Sequence, residues 1–401
     1  MLAELSLQRS KAAPLTIHLD LEILEIEPGF LDRLLPHIHN TVDLSCIGFY
    51  SMPEFVRALP NFPKSMPALQ SLTLMCSGQD DRSDFTGPFD FSTHNTLRKL
   101  SLSSIPLFPS ILSLRTLTEF SLVDDEFETP IDTLLSFLEE NRSLESVHLE
   151  IQFVKPSLRR SRRQAPIGNR LRRLSITGYD ADGIQTLISY ITLRPGAALT
   201  IREYHQYDEN IGLTRILSGI STTHLSNLLS PTFMEYRTSP RSIQLLGPNG
   251  RFSYDSHPDS EDLFAELPLL PLADVRELRL EPRGSWSLMR RFRLAFFPSL
   301  EILCVKYGSD ISFLSPSPSD PTPSPMPKVL AFLDCDITVG FMAELMRVAF
   351  DRRNNTSAPL CRIVIVNSKG HFPSVASIEQ LRKCVPMVEV LEGRKFPEDL
   401  S

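Results

Sequence analysis

The pattern L-x-x-L-x-L, with conservative replacements, begins at Leu69, Leu97, Leu117, Leu144 and Leu171. It begins again at Val275, Leu300, Leu330, Leu360 and Val385. Successive starts within each series lie 20 to 30 residues apart. The second half of the pattern alternates apolar and polar positions, as a strand with one buried face does. Any amphipathic strand supplies one such motif by accident. Ten at a near-constant interval restrict the chain to folds built from one stacked unit, because a unit this small buries its apolar face only against a copy of itself.

Residues 130–150 show the unit most fully. Thr129 is placed to cap a helix, with Pro130 at the first helical position, where proline is tolerated. Ile131, Leu134, Leu135 and Leu138 recur with the 3.6-residue period of an amphipathic helix. Asn141 breaks the helix, and Leu144, Val147 and Leu149 form the strand. Helix, turn and strand at this interval match the leucine-rich-repeat period of roughly 20–29 residues. The expected fold class is therefore α/β: a leucine-rich-repeat solenoid, or horseshoe, with irregular repeats, parallel strands on the concave side and helices on the convex side. A doubly wound sheet would need fully apolar strands and a Gly-rich phosphate turn. These strands alternate, and no G-x-G-x-x-G occurs.

The whole chain, residues 1–401, is expected to form this single array. Residues 1–60 would cap its N-terminal end: a short helix over 1–10, a strand through Leu15, Ile17, Leu19 and Leu21, a helix over 28–38, a strand at Val42 and Leu44, and a helix over 52–59. Residues 385–401 would cap the other end. The gap from Leu171 to Val275 is 104 residues, four intervals of 26. It should hold degenerate repeats near residues 199–201, 225–228 and 243–245. Asp182 is expected to cap a helix carrying Ile184, Leu187, Ile188 and Ile191. Met342, Leu345, Met346 and Ala349 form another stripe, and Ser377 with Gln380 fits a capping box ahead of Leu381. Gly247, Pro248, Asn249 and Gly250 signal a hairpin turn. Residues 315–327, SPSPSDPTPSPMP, are low in complexity and should form an exposed loop.

A formal net charge of −7, without a long acidic or basic block, argues against a nucleic-acid surface. No run of residues is both long and apolar enough for a membrane span, and the first residues lack the apolar stretch of a signal peptide. None of the six cysteines forms a C-x-x-C pair or lies near a histidine at zinc spacing. These features fit a cytoplasmic or nuclear protein with reduced thiols, and call for no cofactor, metal or membrane.

If the motif leucines point inward, the residues between them line the concave face. Ser71, Thr73 and Met75, Lys99, Ser101 and Ser103, Glu119, Ser121 and Val123, Ser146, His148 and Glu150, and Arg173, Ser175 and Thr177 belong there. Further on come Glu277, Arg279 and Glu281, Ile302, Cys304 and Lys306, and Phe332, Asp334 and Asp336. The candidate partner-binding residues among them are Lys99, Glu119, His148, Glu150, Arg173, Glu277, Arg279, Lys306 and Asp334. A mixed surface of this kind suits a macromolecular partner. His148 and Glu150 resemble an acid/base pair, but that spacing is common on an exposed strand, and no nucleophile or metal cluster accompanies it. Asp334 and Asp336 on one strand read as solvated carboxylates. Trp286 reads as core. Arg159, Arg160, Arg162 and Arg163 form a basic run that reads either as a solvated loop or as an anion-binding or nuclear-localisation patch. Ser315, Ser317, Thr322 and Ser324 each precede proline, as phosphorylation sites often do.

Two segments carry a family resemblance. Residues 5–21, LSLQRSKAAPLTIHLDL, resemble the stretch that follows the F-box in many fungal F-box proteins. Residues 134–149, LLSFLEENRSLESVHL, resemble the helix–turn–strand of their leucine-rich repeats. The resemblance implies a non-catalytic substrate-recognition role in a cullin–RING ubiquitin ligase, with a protein substrate as partner. The family's F-box begins with Leu-Pro-x-Glu, and nothing like it occurs in this chain. Binding of the ligase adaptor is thus expected only with an F-box upstream. The alternative is a structural or regulatory repeat scaffold with no ubiquitin role.

Overall fold

The computed structural model describes residues 13–20, 35–49, 66–76, 95–105, 107, 111–154, 170–178, 181–191, 193–203, 213–217, 230–238, 241–256, 267–282, 292–314, 327–355, 359–367 and 373–392. The expected helices over 1–10 and 52–59 lie outside these residues. So do the degenerate repeat near 225–228, the basic run at 159–163, Trp286 and residues 315–326.

The fold is α/β, with sixteen strands among the described residues, nearly all parallel, and few helices. Chain contacts divide it into two compact units, residues 1–197 with 219–224, and residues 198–218 with 225–401. No helix among the described residues is long and apolar enough to cross a membrane.

In the first unit, β1 (Leu15–Asp20), β2 (Thr41–Phe49), β3 (Ser71–Cys76), β4 (Lys99–Ser103), β5 (Glu119–Pro130), β6 (Ser146–Val154) and β7 (Arg173–Gly178) pair in sequence order, all parallel. Equivalent motif positions lie side by side. Leu72, Leu100, Phe120, Val147 and Leu174 make one row, and Leu74, Leu102, Leu122, Leu149 and Ile176 the next. All ten are buried. This in-register stack is what the interval in sequence requires, since a slip of one residue would turn every leucine to the other face.

Two sets of hydrogen bonds fix the step from strand to strand. The carbonyls of Gln70, Arg98, Thr118 and Glu145 each accept two backbone N–H groups from the next strand's entry, as Gln70 does from Arg98 and Lys99 at 2.7 and 2.9 Å. The second set comes from hydroxyls just before the first motif leucine. Thr96 donates to Leu69 O at 2.9 Å, Thr116 to Leu97 O at 2.7 Å, and Ser143 to Leu117 O at 2.9 Å. Each hydroxyl thus satisfies a carbonyl that the strand ladder does not reach.

Helix α1 (Ile131–Glu140) buries Ile131, Leu134, Leu135, Phe137 and Leu138. Phe137 meets Phe120 of β5 at 4.6 Å between ring centroids, so the helix covers the leucine face. The strand runs through Pro130, so the helix starts one residue later than its capping pattern predicts. Asn141 ends it as expected, donating its side-chain amide to Phe137 O at 3.0 Å. In α2 (Ala181–Tyr190) Asp182 lies within the first turn rather than before it, where its charge favours the helix N-terminus.

In the second unit, β8 (Ala198–Glu203), β9 (Phe233–Thr238), β10 (Arg241–Gly247), β11 (Gly250–Ser256), β12 (Glu277–Glu281), β13 (Ile302–Lys306), β14 (Val329–Leu333), β15 (Arg362–Val366) and β16 (Met387–Leu391) follow. The strand expected near 199–201 is β8. The one expected at 243–245 exists as β10, but it is no parallel repeat. β10 is antiparallel to both β9 and β11, while β11 pairs with β8 and β9 pairs with β12. The residues between Leu171 and Val275 thus hold a three-stranded meander set into a parallel series, with β9 unforeseen. Its turn is the expected hairpin. A Cβ on Gly247 would stand 2.4 Å from Ser230 O, so that position admits only glycine.

One repeat departs from the expected register. β14 carries Leu330 and Phe332, not Leu330 and Leu333, as its buried motif positions, paired with Leu303 and Val305. The unit therefore begins at the buried Pro327, which stands where other repeats have leucine. Lys328 marks the same step, since its carbonyl accepts N–H groups from Cys361 and Arg362. Phe332, expected on the open face, packs edge-on against Phe341 at 5.1 Å.

Regular alternation of strand with α-helix is not seen either. Besides α1 and α2, the described residues hold α3 (Leu213–Leu217), α4 (Val339–Asn355) and α5 (Val375–Cys384). Elsewhere among the described residues single 3-10 turns stand in such connections, as at Ile111–Ser113, Leu267–Leu269 and Leu294–Phe296; of the helix expected over 28–38 only residues 35–38 are described, and they lie in a 3-10 helix, Leu35–Asn40. Pro268, Pro271 and Pro298 interrupt the short connections before β12 and β13, and a ring without an N–H cannot sustain a helix interior. In α4 the buried residues are Phe341, Met342, Leu345, Val348, Ala349 and Arg352, with Met346 only half-buried. In α5 the cap is Ser374, accepting from Ser377 N at 3.1 Å, so Ser377 lies inside the helix.

Candidate interaction face

Strand side chains alternate, so burying one row of leucines turns the next row outward. In the first unit that outward face is almost wholly small and polar. Ser71, Lys99, Glu119, Ser146 and Arg173 form one row across β3 to β7, and Thr73, Ser101, Ser121, His148 and Ser175 form the next. A basin of about 280 Å³ lies over these rows between β3 and β6. No hydrogen bond among the described residues engages the hydroxyls of Thr73, Ser101 or Ser121.

Charge in the basin is internally matched. Lys99 Nζ lies 3.1 Å from Glu119 Oε2, both half-exposed. Exposed pairs of this kind contribute little to stability, about 0–1 kcal/mol. His148 Nε2 stands 4.0 Å from Glu150 Oε2, beyond hydrogen-bond length. Ser121 pairs in register with His148 across the ladder. A nucleophile and base would stand within about 3 Å, and no such bond joins the two. Arg173 is exposed at the start of β7, while Thr177, expected on the face, is buried. At the far end of β2 and β3, Ile47 and Met75 sit side by side and are 38% and 41% exposed, the one apolar patch on the described part of this face.

The second unit's outward face differs. Arg237 Nη2 lies 3.0 Å from Glu235 and Arg279 Nη2 2.7 Å from Glu277, with the Arg279 guanidinium over the Phe233 ring at 4.9 Å. Glu281, buried, draws both Arg237 at 3.8 Å and Lys306 at 3.6 Å. Beyond β12 this face becomes apolar. Ile302, Cys304, Ala331, Val364 and Val366 form a buried cluster packed with Val329, Leu333 and Leu391. Ile302 and Cys304 are therefore core, not surface, and burial pushes the Cys304 thiol up to about 12. Asp334 and Asp336 follow the strand instead of lying along it. Asp334 takes φ 49° and donates its N–H to Val366 O at 3.0 Å.

Of the nine candidate residues, the fold brings Lys99, Glu119 and His148 into one basin and places Glu150 and Arg173 beside it. It gathers Glu277, Arg279 and Lys306 on the other unit's face and leaves Asp334 off the strand. Sequence reading picks out charged residues and passes over the hydroxyls, although serine or threonine at the same motif position of β3, β4, β5 and β7 is visible. Among the described residues no group of three or more His, Cys, Asp or Glu is arranged to hold a metal ion. No protein-family model matches the chain, and no curated protein matches it in sequence.

Proposed function

We propose that this chain is a non-catalytic protein-interaction module, built as a leucine-rich-repeat solenoid and similar to the substrate-recognition part of an F-box protein in a cullin–RING ubiquitin ligase. The observation that carries the reading is the first unit's outward face. Its strands are locked in register on one side by buried leucines. On the other they offer an open, polar, charge-matched floor with an exposed apolar edge. Such a face is rigid without contributing to its own core, which leaves it free to vary with the partner. The ligase connection rests on the resemblance of residues 5–21 and 134–149, and the six free cysteines suit a cytoplasmic or nuclear setting. The buried apolar cluster of the second unit favours one further reading, a structural or regulatory scaffold with no ubiquitin role, because a closed face offers a partner nothing there.

The test is affinity capture from cells with the native chain and with the double substitution Ser101→Arg/Ser121→Arg, which fills the floor without touching the core. A specific protein lost from the variant, and rising in abundance when the chain is depleted, is the expected result. A lost protein whose abundance does not change supports the scaffold. Identical captures, with the variant's melting unchanged, would refute an interaction role for this face.

A further inference from the structure

We infer that the first unit's basin takes a short, uncharged, extended segment of a partner protein, lying across the strands. In this arrangement the segment's backbone is held by Thr73, Ser101 and Ser121, and an apolar side chain rests on Ile47 and Met75. The inference deepens the interaction reading above and rests on it.

Two sets of hydroxyls on the described strands of the first unit differ in what they engage. Thr96, Thr116 and Ser143 are spent on carbonyls of the fold. Thr73, Ser101 and Ser121 lie in register on adjacent strands, and no hydrogen bond among the described residues engages them. Strand spacing sets these three about 4.8 Å apart, so the row from β3 to β5 covers about 10 Å, the length of three extended residues. An extended backbone presents an N–H and a C=O per residue. A hydroxyl answers either, since it both donates and accepts. A row of hydroxyls therefore grips a backbone with little regard for its side chains.

Charge and shape narrow the partner further. Lys99 and Glu119 neutralise each other at 3.1 Å, so neither a phosphate nor a basic cluster finds an unmatched counter-charge in the basin. The volume, about 280 Å³, sits at the lower end of small-ligand pockets, roughly 300–1,000 Å³, and suits a few residues rather than a folded surface. Ile47 and Met75 adjoin the Thr73 end of the row, so one apolar residue at one end of the segment is selected.

The purified full chain is screened against displayed random short peptides. Enriched peptides should be uncharged and share one large apolar residue near one end. Thr73→Val/Ser101→Ala/Ser121→Ala should weaken their binding about tenfold or more, the effect of losing two or three hydrogen bonds, with melting unchanged. Met75→Ser should remove the apolar preference alone. Enrichment of acidic or basic peptides, or binding indifferent to the triple substitution, overturns the inference and leaves the interaction reading standing. A failure to enrich any peptide overturns the inference as well. If the cell captures with the double arginine substitution are also identical to native, the interaction reading falls with it. Glycan binding lost on the triple substitution would assign the floor to carbohydrate and overturn the inference.

Discussion

Leu149 and His148 are neighbours in sequence with opposite surroundings. Leu149 has no solvent exposure and lies between Leu122 of β5 and Ile176 of β7, themselves fully buried. His148 points into the open basin. Leu149→Ala removes three carbons from that row. At about 0.8 kcal/mol per buried methylene the transfer loss alone is about 2.4 kcal/mol. In-register packing on both sides leaves the neighbours little room to collapse, so a cavity contribution adds to it and puts the cost at about 3–5 kcal/mol. His148→Ala truncates a partly exposed side chain on the open face and should stay within about 0.5 kcal/mol. Urea melts of both variants, compared at equal m-value, measure the difference. Equal losses, or a larger loss at His148, would mean that β6 presents the opposite face, and the register of every neighbouring strand would fall with it.

Thr116→Val keeps the shape of the side chain but removes the donor to Leu97 O, and should cost about 1 kcal/mol in the same melts. Thr118→Val breaks a longer, exposed bond to Arg98 O at 3.2 Å and should cost less. Cys46, Cys304 and Cys335 are buried, and burial raises each thiol from an ordinary 9.0 to about 12. At mildly alkaline pH, alkylation followed by mass spectrometry should label the exposed Cys361 well ahead of these three. Because the folded state holds these thiols protonated, their share of stability is intact below about pH 9 and is lost as pH rises towards about 12, so the melting midpoint should fall across that window.

The leucine positions of the first unit were legible in the sequence because one physical demand, an inward leucine at each step, dominates them. Prediction failed where two residues satisfied that demand. At β14 both Phe332 and Leu333 offered an apolar side chain, and a proline in the leucine's place at Pro327 hid the true start. The hairpin of β10 and β11 is legible in its turn residues, but β9 is not, because it alternates like any repeat strand and no such turn signal marks its reversed neighbour. Several connections hold a single 3-10 turn instead of a helix, because so short a link needs only one turn to cross the leucine face. Sequence places the hydroxyls on the face but singles out only the charged residues as candidates for binding. Serine on an open strand looks the same in sequence whether it meets water or a partner.

The meander also alters how this chain acquires its structure. Where consecutive strands pair, each new one adds to an edge already in place, and the loop closed is short. β8 is different. Its described partner in the second unit is β11, so the edge left at Glu203 waits until chain as far as Gly250 has been supplied, and β9 and β10, which pair locally, join β8 only through β11. Closing so long a loop before any contact rewards it slows the step. Assembly of the second unit should accordingly pause at β8, and a chain halted between Glu203 and Gly250 would carry an uncovered strand edge, the feature most prone to pairing with another molecule.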